Sequence, residues 1–229
     1  MNKNRLITSI VLNSVNIVLV AICTVFALCN FKFMGIEGSL TPTNTTLFSL
    51  FTVDSNLLLL IVSVLLLVYE ILLLTGRINK IPQFVYVLKF IGVSVVALTF
   101  ATITFVFAPM FGLNFWRLYV NNNLMFHLVV PVTAIISFIF FEYDGELKFK
   151  HTFLGMIPAT IYALYYIVNV LIHMNNDGTV PNDYDPYAFA QNGVGGIIFS
   201  FIGMLVFAYL LSFLIFFFAG FVSKKKRNN

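Results

Sequence analysis

Charged residues are scarce in this chain. Asp, Glu, Lys and Arg together make up 10% of its 229 residues, whereas a soluble domain carries about 25%. That shortage excludes an ordinary water-soluble fold, and the 60% share of apolar residues excludes a disordered tail. The composition is that of an integral membrane protein.

Cysteine and the usual catalytic motifs are also lacking. The two cysteines, Cys23 and Cys29, lie six residues apart in the first apolar stretch, which excludes a disulfide framework and a zinc site. We interpret both as buried structural thiols. Because the chain has no phosphate-binding glycine loop, no HExxH and no GxSxG motif, we predict neither a metal nor an organic cofactor.

The small excess of basic residues does not indicate a nucleic-acid partner. The chain has 13 basic and 9 acidic residues, and four of the bases are consecutive at positions 224–227. A short basic cluster beside an apolar segment is typical of a membrane surface. Nothing in the sequence indicates the oligomeric state.

Six apolar segments are long enough to span a membrane, which needs about 20 residues each. Four are uncharged, and the third carries Lys89 near its start. The second carries Asp54 near its start and Glu70 near its end, where we expect Glu70 to face water. The alternation of a membrane barrel is missing. We therefore predict an all-α fold, a single bundle of six transmembrane helices forming one domain over residues 1–229. The predicted spans are 6–29, 47–74, 84–107, 124–141, 152–173 and 196–222.

The positions of Lys and Arg predict the orientation. Eleven of the 13, Lys89 among them, fall on the side of the two termini, and only Lys32 and Arg117 fall on the other. The positive-inside rule then places both termini in the cytoplasm, and we expect the plasma membrane. The first apolar run is too long for a signal peptide and lacks a small-residue cleavage pattern, so we expect a retained helix.

Polar side chains are costly inside a membrane and often mark a site. Thr52 opens the second span and His127 opens the fourth, so both lie one or two turns below the outer surface. Helical phase puts Ser55 and Asn56 beside Thr52, whereas Asp54 points nearly opposite. These residues indicate a candidate site in the outer layer.

Other features extend this layer. Pro131 lies four residues after His127 and has no N–H, so it leaves the His127 carbonyl without its usual partner and predicts a local distortion. Four polar residues of the fifth span share one helical face and rise to the same depth. They are Tyr162, Tyr166, Asn169 and His173.

Each of these residues also has a purely structural interpretation. A membrane threonine or histidine often bonds only its own backbone or a neighbouring helix. Asp54 could complement the positive start of its helix, and the tyrosines could belong to an interface belt. A non-enzymatic lipid- or solute-binding protein, a transporter and a lipid scaffold with a decayed site therefore stay open. The apolar inner halves of spans four and six argue against a path through the membrane.

Short motifs give the chain a family resemblance. The segment 51–56 (FTVDSN) resembles the FT-x-x-SN signature of the androgen-induced and androgen-dependent membrane threonine hydrolases and their bacterial relatives. The segment 127–131 (HLVVP) resembles the histidine motif of that family. Residues 162–166 resemble its tyrosine-bearing fifth helix, and residues 185–189 (DPYAF) resemble the segment before its last helix.

The resemblance implies an activity and a site. It implies hydrolysis of fatty acid esters of hydroxy fatty acids, or similar long-chain esters, without a cofactor. Thr52 would be the nucleophile and His127 the base, and a membrane lipid or long-chain ester would enter between the helices. The residues expected to bind substrate or support this pair are Asp54, Ser55, Asn56, Tyr162, Tyr166, Asn169 and His173.

Overall fold

The chain forms one bundle of six helices that are long and apolar enough to cross a membrane. The computed structural model describes residues 2–40, 44–143 and 147–227, and it has no strand among them. The predicted all-helical fold is confirmed. The helices run Lys3–Leu28, Phe51–Leu74, Gln83–Met110, Asn122–Glu142, Phe149–Ile172 and Gly193–Lys225.

The predicted boundaries differ most at the start of the second helix. This helix begins at Phe51 and not near residue 47, because Asn44–Ser49 form a separate 3₁₀ turn. Thr52 therefore lies in the first turn of its helix, closer to that end of the bundle than the sequence predicted. We call this end, which is opposite the two termini, the outer end, and the end on the side of the termini the inner end. The third helix is the most buried of the six and packs against the second.

A glycine allows the second and third helices to approach closely. A Cβ atom on Gly92 would lie 2.6 Å from Val62 Cγ2. Small residues at helix contacts are the usual means of close packing in membranes. This contact holds the middle of the second helix closely against the third helix.

The fourth helix is distorted around His127, as the sequence predicted. Met125–Val129 form a π-helical turn, in which the Val130 N–H donates to Met125 O. The Phe126 carbonyl could accept from the N–H of residue 130 in an α-helix or from that of residue 131 in a π-helix. The Val130 N–H bonds Met125 O instead, and Pro131 has no N–H, so neither donor reaches Phe126 O. The carbonyl left open to a side chain is thus that of Phe126, one residue before the one expected.

The first outer connection is fastened to the start of the fourth helix by asparagines. Asn121, whose φ is 52°, accepts from the Met34 N–H at 2.9 Å and donates to Ile36 O at 2.6 Å. Asn123 donates to Ser39 O at 2.8 Å. These bonds hold the chain over the outer end of the bundle, next to the candidate site.

The cysteines differ from each other in environment. Cys23 is buried, as predicted, but Cys29 is exposed. The prediction was wrong for Cys29 because the first helix ends at Leu28 and the thiol lies in the turn that follows.

Candidate functional site

Thr52 lies at the positive end of a 24-residue helix. Its side chain is buried, and the preceding Phe51 N–H donates to the Tyr187 hydroxyl at 3.0 Å. The first N–H groups of a helix have no partner within it, and its dipole favours negative charge there. This position suits a group on which negative charge develops.

A small cavity adjoins Thr52. Its volume is about 40 Å³, and its polar wall includes Thr99, Thr102, Tyr162 and Tyr187. The space exceeds the roughly 10–15 Å³ that a water molecule needs. It is therefore large enough for a water or a reacting ester group, but not for a fatty acyl chain.

An apolar groove continues from this cavity. It has a volume of about 370 Å³ and lies between the third and sixth helices. Phe107, Phe189 and Met204 line both spaces. A pocket of this size falls in the range of ligand sites, and its lining matches an acyl chain.

His127 is buried and held in one orientation. Its Nδ1 lies 2.6 Å from Leu118 O. Because a carbonyl oxygen can only accept, Nδ1 carries the proton, and in the neutral ring Nε2 is left as an acceptor. The edge of the Tyr119 ring packs against the imidazole at a centroid distance of 6.5 Å. This tautomer is the one that a general base requires.

Asn56 joins the outer ends of the second and fourth helices. Its Nδ2 donates to Thr52 O at 2.7 Å and to Phe126 O at 3.2 Å. The Asn56 Oδ1 atom has no hydrogen-bond partner among the residues that the structure describes. Over those same residues, no hydrogen bond joins the side chains of Thr52 and His127. Asn56 links the backbone at Thr52 to the backbone at Phe126, the residue before His127.

Ser55 and Asp54 have different surroundings. Ser55 Oγ donates to Thr52 O at 2.9 Å and lies 2.9 Å from Thr99 Oγ1, which fixes the second helix against the third. Asp54 is half-buried and lines a separate cavity of about 540 Å³ with Tyr165. Thr52 and Asp54 thus face different spaces.

The polar stripe of the fifth helix divides into two parts. Tyr162 lines the Thr52 cavity. Tyr166 and Asn169 instead bond the last outer connection. The Tyr166 hydroxyl donates to the carboxylate of Asp185, and Asn169 Nδ2 donates to Tyr184 O at 3.3 Å. The ring of His173 stacks on Tyr184 at 3.5 Å. These three residues hold the connection that carries Tyr187.

Asp185 is the anchor of that connection. Besides the Tyr166 hydroxyl, it accepts the Phe189 N–H at 2.9 Å and the Ala190 N–H at 3.0 Å. Tyr187 follows it by two residues and reaches the start of the second helix. Burial raises the pKa of Tyr187 to about 12, so its phenol stays neutral at physiological pH.

A second polar cluster, which the sequence did not predict, lies in the inner half of the bundle. We call Lys89, Glu70 and Glu142 the inner cluster; all three are fully buried. The prediction that Glu70 faces water was therefore wrong. Lys89, which the sequence analysis counted among the bases on the side of the termini, is buried in the bundle instead. Lys89 Nζ donates to Asn13 Oδ1 and Ser63 Oγ, each at 2.6 Å.

A helical pattern in the first span was the signal for this cluster. Ser9, Asn13 and Asn16 recur at intervals of four and three residues, so they share one face. All three are buried. Such a polar stripe in an apolar helix indicates a polar partner on a neighbouring helix.

No family model, curated protein or solved structure matches this chain. The family resemblance therefore stays a prediction from short motifs. Among the residues that the structure describes, no group of three or more His, Cys, Asp or Glu side chains could hold a metal ion.

Proposed function

We propose that this protein is an intramembrane hydrolase of long-chain lipid esters, with Thr52 as nucleophile and His127 as general base. The observation that carries the proposal is the double hydrogen bond of Asn56, which joins the backbone at Thr52 to the backbone beside His127. A buried histidine whose Nε2 is free to accept a proton supports the same assignment.

The reaction has two balanced steps. His127 Nε2 takes the Thr52 hydroxyl proton, either directly after the Thr52 side chain rotates or through one water. At the same time Thr52 Oγ1 attacks the ester carbonyl carbon. The C–O bond then breaks, and the departing alcohol receives that proton. Water, activated by the same histidine, hydrolyses the acyl-threonine ester and restores both residues.

The developing oxyanion would lie near the start of the second helix. The positive end of the helix dipole lies there, together with the neutral hydroxyl of Tyr187, which accepts from the Phe51 N–H. Fixed dipoles in a water-poor site stabilise transition-state charge more than they do in water. The free Asn56 Oδ1 is available to accept a hydrogen bond from a bridging water.

The substrate would enter from the membrane. The apolar groove between the third and sixth helices suits an acyl chain, and the adjoining cavity suits the ester group. The proposed partner is accordingly a membrane lipid or long-chain ester, and the mechanism needs no metal or organic cofactor.

We infer that both termini are cytoplasmic and that the site faces the outer leaflet of the plasma membrane. Lys89 is buried in the bundle, which leaves ten of the eleven bases first counted on the side of the termini against two on the other. The positive-inside bias thus persists after this correction.

Turnover of a long-chain ester by the purified protein tests the proposal. Thr52→Ala and His127→Ala should each lower kcat by a factor of about 10² or more, and Thr52→Ser should retain part of the activity because it keeps the hydroxyl. Thr24→Ala is a matched control, since Thr24 bonds its own backbone in the first helix. If the wild type hydrolyses no ester, and both alanine variants bind lipid as well as it does, the lipid-binding alternative is correct.

The inner cluster favours one alternative function, that of a solute-binding protein or transporter. The apolar inner halves of spans four and six argued against a path through the membrane. Buried polar groups of the bundle nevertheless occur at both depths. Solute uptake into proteoliposomes that persists in Thr52→Ala, together with no ester turnover by the wild type, would support this alternative over the hydrolase.

A further inference from the structure

The inner cluster contains two carboxyl groups and one ammonium group. Glu70 comes from the second helix, Lys89 from the third and Glu142 from the fourth, and none of them enters the proposed ester chemistry. All three side chains are fully buried. Since a net charge inside a membrane is costly, we expect the charges of these three groups to cancel.

Lys89 carries its proton. An ammonium group has three N–H donors, and three acceptors surround this one: Asn13 Oδ1 and Ser63 Oγ at 2.6 Å, and Glu142 Oε1 at 3.7 Å. The carboxyl group of Glu142 lies within ion-pair distance of this nitrogen, and a nearby opposite charge favours the charged form of an amine. Lys89 is therefore the cation of the cluster.

Glu142 is the anion that compensates it. Its Oε1 also accepts from Ser137 Oγ at 2.6 Å. Its Oε2 has no hydrogen-bond partner among the described residues. Glu142 lies within ion-pair distance of Lys89 Nζ, whereas no such pair joins Glu70 to Lys89 among the described residues.

Glu70 is then the second carboxyl, with no further ammonium in the cluster. Its Oε1 shares a hydrogen bond with Ser9 Oγ, and Asn13 Nδ2 lies 3.4 Å from its Oε2. A serine hydroxyl can donate or accept. A proton on Oε1 would reverse the direction of the bond to Ser9 without moving any heavy atom.

We propose that Glu70 binds one proton, so that the inner cluster is an intramembrane proton-binding site with no net charge. The site joins the first four helices, because Ser9 and Asn13 of the first helix bond Glu70 and Lys89. Glu70 is four residues from the end of its helix at Leu74, or about 6 Å along the axis. The proton therefore exchanges with the side of the membrane on which the termini lie.

Other titratable side chains around the cluster come from three helices. Arg5 of the first helix donates to Tyr143 O, the carbonyl next to Glu142. Tyr86 of the third helix is buried against Leu66 on the second. Tyr143 itself is buried at the end of the fourth helix.

Infrared spectroscopy of the purified protein in lipid measures this proton directly. A protonated carboxyl has a C=O stretching band apart from those of a carboxylate, and the band shifts in D₂O. The wild type at neutral pH should show one band of a buried protonated carboxyl. Glu70→Gln should remove it. Glu142→Gln should also remove it, because Glu70 then becomes the counter-ion of Lys89.

Lys89→Gln gives the opposite result. Both carboxyls should then hold a proton, so the band area should rise about twofold, since neither charge has a partner. Glu37→Gln is the control that should leave the band unchanged, because Glu37 is exposed on the outer side and pairs with Lys32. Circular dichroism and size exclusion confirm that each variant is folded.

Three outcomes would overturn the proposal. The wild type could show no protonated carboxyl at neutral pH. The band could persist in both glutamine variants of the cluster, which would assign it to another residue such as Asp54. Unfolding could instead depend on Na⁺ with no such band, which would make a metal cation the compensating charge.

Discussion

At the residue scale, Asn56 connects the two candidate catalytic positions. Asn56→Ala removes both of its hydrogen bonds and leaves Phe126 O buried without a donor. We expect a loss of about 1–3 kcal/mol in the free energy of unfolding, and a lower kcat because the two helix ends are no longer tied. Thermal unfolding in detergent and ester turnover measure the two effects.

Asp54→Asn is the matched comparison. Asp54 is two residues from Asn56 but half-buried against a different cavity, so its change should leave most of the turnover. Abolished activity in Asp54→Asn, with normal activity in Asn56→Ala, would contradict the assignment and place the reacting groups in the cavity that Asp54 lines.

Helical phase predicted part of this site and could not predict the rest. Thr52, Ser55 and Asn56 are in one turn, so a spacing rule relates them directly. The bond from His127 to Leu118 O depends on how a connection folds back over the next helix, for which the sequence has no periodic signal. The pairing of Lys89 depends on which faces of three helices meet.

At the element scale, the π-helical turn in the fourth helix decides where His127 points. One extra residue in a turn rotates the preceding part of the helix by about 100° relative to the part that follows. Pro131 removes the N–H that would close a regular turn, and Asn56 takes the carbonyl left open at Phe126. The distortion and the link between the helices therefore have one cause.

Pro131→Ala should separate stability from activity. Alanine restores the missing donor and is favoured over proline inside a helix by about 3 kcal/mol, so the melting temperature should stay equal or rise. A regular helix would turn His127 away from its bond to Leu118, and kcat should fall severalfold. An unchanged kcat with a lower melting temperature would show that the π-helical turn does not position the histidine.

The ends of the elements were the hardest part to predict. Charge-free intervals located six helices because a membrane span requires a long apolar run. They could not show that Glu70 and Lys89, each within two turns of a helix end, turn inward and not toward water. Residues at that depth can reach either environment, and the choice depends on a partner in another helix.

At the scale of the whole molecule, the bundle has two polar layers. The outer layer contains the half-buried Asp54 and the buried Asp185, whereas the inner layer contains the cluster of Lys89, Glu70 and Glu142. Buried apolar side chains such as Leu59, Val93 and Ala134 pack together in the same core. The two proposals place ester chemistry at one depth and proton binding at another.

The orientation can be tested by cysteine labelling in intact cells. Asn79 and Asn176 are both exposed, in connections on opposite sides of the bundle. In a background without the two native cysteines, Asn176→Cys should react with a membrane-impermeant thiol reagent, and Asn79→Cys should react only after permeabilisation. The opposite pattern would reverse the orientation and put the candidate site toward the cytoplasm.

Covalent labelling of Thr52 is the most direct test of the proposed chemistry. A fluorophosphonate reacts with an activated hydroxyl, so peptide mass spectrometry should find the adduct on Thr52 in the wild type and not in His127→Ala, which lacks the base. A long-chain ester added first should block the reaction. An adduct on another residue, or equal labelling of Thr52 with and without His127, would contradict the account.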